Sequence, residues 1–321
     1  MTSELRAGSP RQAATADAEV TEVTAVLDQV PSLAGTPRVI AELPGGLTNR
    51  NYKVTTPAGV FVARIWAEGG GDLLAINRDH EYRNSVIAAE AGVGAPVVEY
   101  RPRDRVLVLG FLEGRTFGNQ DVQDPVNIPR VARAVRRLHE APRFVSDFDM
   151  FQIQPRYYRA ARSGGMAVPA GYDDLAPAFE AARAALAATA EGTVPCNNDL
   201  LAANFIDDGE RIALIDYEYS GNNDPCFELG NIAGECGLSA DALDGLVTAY
   251  YGSRRRGRVA RAQLFIPVSQ YGWTLWGAIQ HATSPLDFDF WSWAMERFEA
   301  AASALTSRGF ERLLTEVQEG D

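Results

Sequence analysis

Along the first hundred residues the hydrophobic positions change period in an orderly way. Val20, Val23, Val26, Leu27 and Val30 recur at helical spacing, and the run stops at Pro31. Alternating stretches follow: RVIAEL (38–43), NYKVTT (51–56) and VFVARIW (60–66), parted by PGGLTN, PAG and EGGGD. Closely spaced strands separated by such turn residues predict an antiparallel meander. A helix is expected over 76–91, ending at Gly92, and two more strands, PVVEYR (96–101) and RVLVLGFL (105–112), complete a five-stranded lobe. Glu113-Gly114 reads as a hinge. Beyond it the pattern turns helical, with helices near 131–141, 173–190, 225–236, 239–251, 259–280, 287–303 and 307–318. One β interruption, NFIDDGERIALIDYE (204–218), reads as a hairpin turning at Asp207-Asp208-Gly209. The expected class is α+β: a tail over 1–18, a small antiparallel β lobe over 19–112 with one helix, and a larger helical lobe over 113–321.

Composition narrows the partners. Of 321 residues, 30 are Lys or Arg and 42 Asp or Glu, a formal charge of −12. That balance argues against a nucleic acid or an anionic membrane surface as partner and favours a cationic ligand. The three cysteines, Cys196, Cys226 and Cys236, form no CxxC pair and read as reduced thiols. Residues 1–18 are polar, without the apolar core of a signal peptide, and no apolar run is long enough to cross a bilayer. A cytoplasmic location is expected.

The stretch CNNDLLAANFIDDGERIALIDYEYSGNNDP (196–225) carries the chemistry. Asp199 and Asn204 stand five apart, and Asp216 closes the apolar strand IALI. This is the catalytic-loop spacing of kinases: a carboxylate takes the proton of the attacking hydroxyl, while an amide and a second carboxylate supply hard oxygens to Mg²⁺. The bland alternative makes all three turn residues of a surface hairpin, which leaves Asp216 at the end of an apolar strand unexplained. Upstream, PGGLTNRNY (44–52) is a Gly-rich turn whose Gly45, Gly46, Thr48 and Asn49 are candidates to approach phosphate oxygens, although any hairpin could look so. Arg64, on the third strand, occupies the place of a phosphate-binding cation, with Glu81 on the next helix as its natural ion partner.

Together the segments LPGGLTNRNYKV, VARIW, RDHEYRN, NNDLLAANFI, LIDYEYSGNNDPCFELGN and YGWTLWGAIQHATSPLDFDFWSWAMERF resemble the choline/ethanolamine kinase-like branch of the aminoglycoside phosphotransferase superfamily. The resemblance runs collinearly over roughly 38–303. It implies a protein-kinase-like two-lobed fold, ATP as co-substrate, Mg²⁺ as cofactor and a small cationic alcohol as phosphoryl acceptor. By position it makes Asp199 the base, Asn204 and Asp216 the metal ligands, and Arg64 a phosphate contact oriented by Glu81. Glu218 would lie near the metal, on the face of Asp216 if the strand continues. Asp224-Pro225 opens a helix carrying Glu228, a brace of the catalytic loop, and Glu235, which would face the acceptor's cation. Trp273, Trp276 and Trp293 would then box a quaternary ammonium by cation–π attraction. Against this, tryptophans three apart on a helix are commonly core. His139, His80 and His281 show no metal spacing to one another, and His139 reads as a packed helix end.

Two departures stand out. Asn197 replaces the His that precedes the Asn-Asp pair in the family, and CGLSA after Glu235 lacks the aromatics of the eukaryotic choline kinases. Two further readings therefore stay open beside the choline/ethanolamine one. One is a kinase of the same fold for another acceptor, an aminoglycoside-like antibiotic or a thiamine-like vitamin. The other is a nucleotide-binding pseudokinase acting as an interaction module.

Overall fold

The protein is described by a computed structural model over residues 21–67 and 71–321. The tail expected over 1–18, Val20 and part of the EGGGD turn lie outside the described residues. Among the described residues two compact units are present, one formed by 21–67 with Val97–Phe111, the other by 71–96 with Leu112–Asp321. Residues 71–96 group with the helical unit, into which their helix bonds.

In the sheet unit, α1 (21–27) precedes β1 (Val39–Leu43), β2 (Asn49–Thr56), β3 (Gly59–Trp66), β4 (Val97–Arg101) and β5 (Val106–Gly110). All pairings are antiparallel, in the order β1-β2-β3-β5-β4: the first three strands form the expected meander, and the last two complete the five-stranded sheet with β5 beside β3 and β4 at the edge. Alternate residues Tyr52 and Val54 on β2 and Val106 and Val108 on β5, with Ala63 on β3, point to one side. There they meet Val23, Leu27, Val30 and Leu33. Period-two and period-3.6 patterns thus bury their apolar faces on each other, each fully buried aliphatic contributing about 1.5–3 kcal/mol.

The helical unit opens with α2 (Arg78–Glu90), capped by Asn77, whose side chain accepts from the N–H groups of Asp79 and His80. Asn84 fixes this helix: its Nδ2 donates to Ser220 O and Oγ at 3.1 and 3.0 Å, and Val145 N donates to its Oδ1 at 3.1 Å. Next come β6 (Arg115–Thr116), α3 (Asn119–Gln123), α4 (Ile128–His139), α5 (Met150–Ser163), a 3₁₀ turn over Tyr172–Leu175 and α6 (Ala176–Ala188). The stretch from 194 to 223 holds β7 (Val194–Cys196), β8 (Phe205–Asp207), β9 (Ile212–Leu214) and β10 (Gly221–Asn223). These strands make a three-stranded sheet, β6-β8-β9, and a two-stranded one, β10-β7, where the sequence pattern predicts a single hairpin.

The last helices are α7 (Pro225–Cys236), α8 (Ala240–Tyr251), α9 (Arg256–Thr283), α10 (Phe290–Leu305) and α11 (Phe310–Glu319). Helix α7 starts as its sequence predicts, with Asp224 as N-cap and Pro225 at the first helical position, and stops at left-handed Gly237. Helix α9 is buried on nearly all sides, as suits a central helix packed by α5, α7, α10 and α11. Among the described residues no helix is long and apolar enough to cross a membrane.

Candidate active site

The centre is the loop between β7 and β8. Asn197 and Asn198 are fully buried, and both take their backbone N–H groups to Glu228 on α7. Glu228 has no exposed surface and accepts from Asn197 N at 2.8 and 3.1 Å; His139 Nε2 lies 3.5 Å away. His139 is also 2.8 Å from the Tyr250 hydroxyl and 3.4 Å from Cys196 Sγ. Although His139, Cys196 and Glu228 come close together, Glu228 spends both oxygens on backbone donors. The trio is a hydrogen-bonded brace beneath the loop. Burial first, then Glu228, pushes the Cys196 thiol well up, which keeps it an inert neutral group. All three cysteines are free and buried.

The side chain of Asn197 draws the loop to the far end of β9. Its Nδ2 donates to Ile215 O at 3.1 Å and Asp216 O at 2.8 Å, while its Oδ1 accepts from Asp199 N at 3.1 Å. Asn204 adds a second tie, with Nδ2 donating to Asp199 O at 2.7 Å and its own carbonyl accepting from Ile215 N at 3.0 Å. Asp199, Asn204 and Asp216 are thereby held together by side chains whose every bond is to backbone.

Strand β9 ends at Leu214, two residues before Asp216, which adopts a left-handed conformation at φ 66°. Asn198 does the same at φ 69°. A non-glycine residue pays for this conformation and holds it only where surroundings enforce it. Here the enforcing bonds at Asn198 run from its Nδ2 to Tyr219 O and Gly221 O, with Asn223 Nδ2 donating to its Oδ1. Because the chain turns at Asp216, the expectation that Glu218 shares a strand face with it fails. Glu218 instead meets Arg78 at 3.2 Å.

Asp199 retains some accessible surface, yet protein atoms crowd its carboxyl. Withdrawal from water first, then the negative charges of Asp216, Glu235 and Glu218, hold its pKa well above the usual carboxylate range; Arg297 opposes them. Such crowding of acid groups suits a divalent cation. The donor set agrees: Asn204 has committed its amide nitrogen, leaving the amide oxygen as its ligand-type atom, and Asp216 adds a carboxylate, both hard oxygens.

The sheet unit holds the other candidates. Gly45, at φ 102°, and Gly46 form the turn between β1 and β2, and a Cβ on Gly46 would stand 2.2 Å from Asn49 O. No other residue fits that turn unshifted. Asn49 Nδ2 donates to Thr48 Oγ1 at 3.0 Å. Arg64 is buried in β3, opposite Asn51, with its Nε 3.3 Å from Asn51 Oδ1. Glu81, expected as the partner of Arg64, belongs to the helical unit and has Arg78 at 2.7 Å in its own helix. Arg78 bridges Glu81 and Glu218 and is one residue that the sequence pattern did not single out.

Of the three tryptophans, Trp273 and Trp276 are only 4% and 5% exposed. Trp273 packs between Phe148 and Tyr219 and sends its Nε1–H inward to Asn231 Oδ1 at 3.2 Å. Trp276 donates to the Tyr219 hydroxyl at 2.6 Å and tilts against Trp293, their centroids 5.0 Å apart. Gly277 permits that approach, since a Cβ there would lie 2.8 Å from the Trp293 ring. Trp293 keeps partial exposure, and its ring faces the guanidinium of Arg297, with the guanidinium carbon 3.3 Å from the ring centroid. Arg297 also donates to Glu235. Tyr219 and Arg297 were not anticipated, because each meets its partner only through tertiary packing.

A sheet lobe joined in sequence to a helical unit, with an Asp-x₄-Asn loop tied to a following Asp, is the arrangement expected of a phosphotransferase. The chain belongs to the phosphotransferase enzyme family, whose model matches residues 39–262. It is 31% identical in sequence to a solved choline/ethanolamine kinase family protein from Mesorhizobium loti, with a TM-score of 0.82 and coverage of 94% of this chain and 99% of that one. The fold is also similar to that of the choline kinase LicA from Streptococcus pneumoniae, at TM-score 0.75, 20% identity and 89% and 99% coverage. Protein LicA of Haemophilus influenzae is 26% identical over 275 residues, 81% of this chain and 78% of the relative.

Proposed function

We propose that the protein is an ATP- and Mg²⁺-dependent kinase that transfers the γ-phosphoryl group to the hydroxyl of choline, ethanolamine or a similar amino alcohol in the cytoplasm. The observation that carries this reading is the trio Asp199, Asn204 and Asp216, held together by the amides of Asn197 and Asn204. The relatives' names point to the same acceptor class.

Asp199 receives the proton of the acceptor hydroxyl as the oxygen attacks phosphorus. A positioned carboxylate within reach of the attacking hydroxyl is the kind of group that takes a proton in the transition state. Asn204 and Asp216 would hold Mg²⁺, which when bound neutralises charge developing on the phosphates. Thr48, Asn49, Arg64 and the backbone of Gly45 and Gly46 are the proposed phosphate contacts of the sheet unit, and Glu81 the group proposed to orient Arg64. Glu235 and Trp293 would receive the acceptor's ammonium, with Trp273 and Trp276 lining it from within the core.

The test is Asp199→Ala. It should lower kcat about 10²–10⁴-fold, the usual contribution of a positioned base, with MgATP binding retained. Near-wild-type turnover would remove Asp199 from the mechanism.

A further inference from the structure

We propose that Arg297 is a tethered cation seated where the acceptor's ammonium binds, and that its displacement sets the protein's affinity for cationic acceptors. The inference rests on the reading of Glu235 and Trp293 as acceptor-binding groups. Those are the two kinds of partner an ammonium needs, a carboxylate and an aromatic face, and the guanidinium uses both at once. Its carbon stands 3.3 Å from the Trp293 centroid, and Nη2 donates to the Glu235 carboxylate. The two charged side chains are only 15% and 8% exposed. Their charges both act on Asp199, the group proposed to do the chemistry, Glu235 raising its pKa and Arg297 opposing.

With Arg297 in place, Glu235 is neutralised and the Trp293 face is covered. A second cation against Glu235 would meet like charge instead of attraction. Entry of an ammonium therefore requires the guanidinium to leave. Its hold is of a kind that can be broken. Among the described residues, Arg297 Nε is buried without a hydrogen-bond partner, and Nη1 reaches only Trp293 O, at 3.4 Å. Of its five N–H groups, few are committed, so charge and stacking provide most of the hold. Arg297 is also four residues beyond Trp293 on α10, so both the plate and the cation that covers it come from one helix face.

The consequence is a specificity device: acceptor cations compete with a side chain of the protein itself. Binding can be read without phosphoryl transfer by titrating tetramethylammonium, which has the charge and methyl groups but no hydroxyl, and following tryptophan fluorescence and thermal unfolding. Arg297→Met should bind tetramethylammonium about tenfold or more tighter than the wild type, the range expected when one stacked cation no longer competes. It should also unfold at lower temperature, because Glu235 is left buried and uncompensated, and millimolar tetramethylammonium should restore much of that loss. Methylguanidinium should compete with tetramethylammonium in this variant. Arg297→Lys, which keeps the charge, should fall between wild type and Arg297→Met and serves as the readout if the Met variant does not fold. Equal or weaker tetramethylammonium binding in the folded variants, with no thermal rescue, would overturn the inference. MgATP binding is measured in the same samples. Its absence would sink the kinase reading, whereas the cation titration decides the role of Arg297 by itself.

Discussion

Asn197 stands where the resemblance implies a histidine. The structure gives the amide three bonds: Nδ2 to two carbonyls and Oδ1 to Asp199 N. A neutral imidazole has one donor and one acceptor, so it can satisfy at most one of the two carbonyls. Asn197→His should therefore lower kcat rather than raise it, and Asn197→Ala should lower it about 10–100-fold, as loss of a supporting hydrogen bond commonly does. KM for ATP should change little in both. Unchanged kcat in Asn197→Ala would show that the loop holds its shape without this residue. The grouping of Asp199, Asn204 and Asp216 was legible because it follows from local spacing. The partners of Glu235 and Glu218 were not. Arg297 lies 62 residues from Glu235 and Arg78 lies 140 from Glu218, distances over which pattern carries no information.

At the scale of elements, long periodic segments were read correctly and short ones were missed. The sheet meander and α7 formed where alternation and capping residues placed them, whereas β6, β7 and β10, of two or three residues, leave no period to detect. Helix α5 also escaped: Pro155 within it reads as a breaker. The β8–β9 hairpin was anticipated, but not the clamp on it. Arg130 of α4 grips Asp207 with two hydrogen bonds of 2.8 and 2.6 Å, and Asp207 also accepts from Gly209 N. The Arg130 bond first, then the Gly209 N–H, holds the Asp207 pKa below its ordinary 3.8, against burial. The sign follows directly. A depressed carboxylate stabilises the fold above its unfolded pKa and loses that contribution as pH falls through the folded one. Asp207→Asn should cost about 1.5–3 kcal/mol at pH 7, the range for charged hydrogen bonds, and the gap to wild type should close below pH 3.8. Denaturant unfolding at several pH values measures it. A gap independent of pH would show that charge has no part in the clamp.

For the whole molecule, the two units divide the proposed work unequally. The sheet unit contributes the Gly45-Gly46 turn and Arg64, while the helical unit carries Asp199, Asn204, Asp216 and the pair Glu235–Arg297. The formal charge of −12 suits a cationic acceptor, and the acid groups around Asp199 concentrate that charge locally. The class of fold was open to reading from pattern, since strands cluster before residue 112 and helices after it. The allotment of α2 to the helical unit was not, because it depends on the bonds of Asn84 and Arg78. The most direct measurement of the central claim is phosphorus NMR of the purified protein with ATP, Mg²⁺ and, in turn, choline, ethanolamine and related amino alcohols. The expected result is a phosphomonoester of one of these alcohols, formed with ADP and absent when Mg²⁺ is chelated or Asp199 is Ala. A folded protein that forms no phosphomonoester with any member of the panel would contradict it.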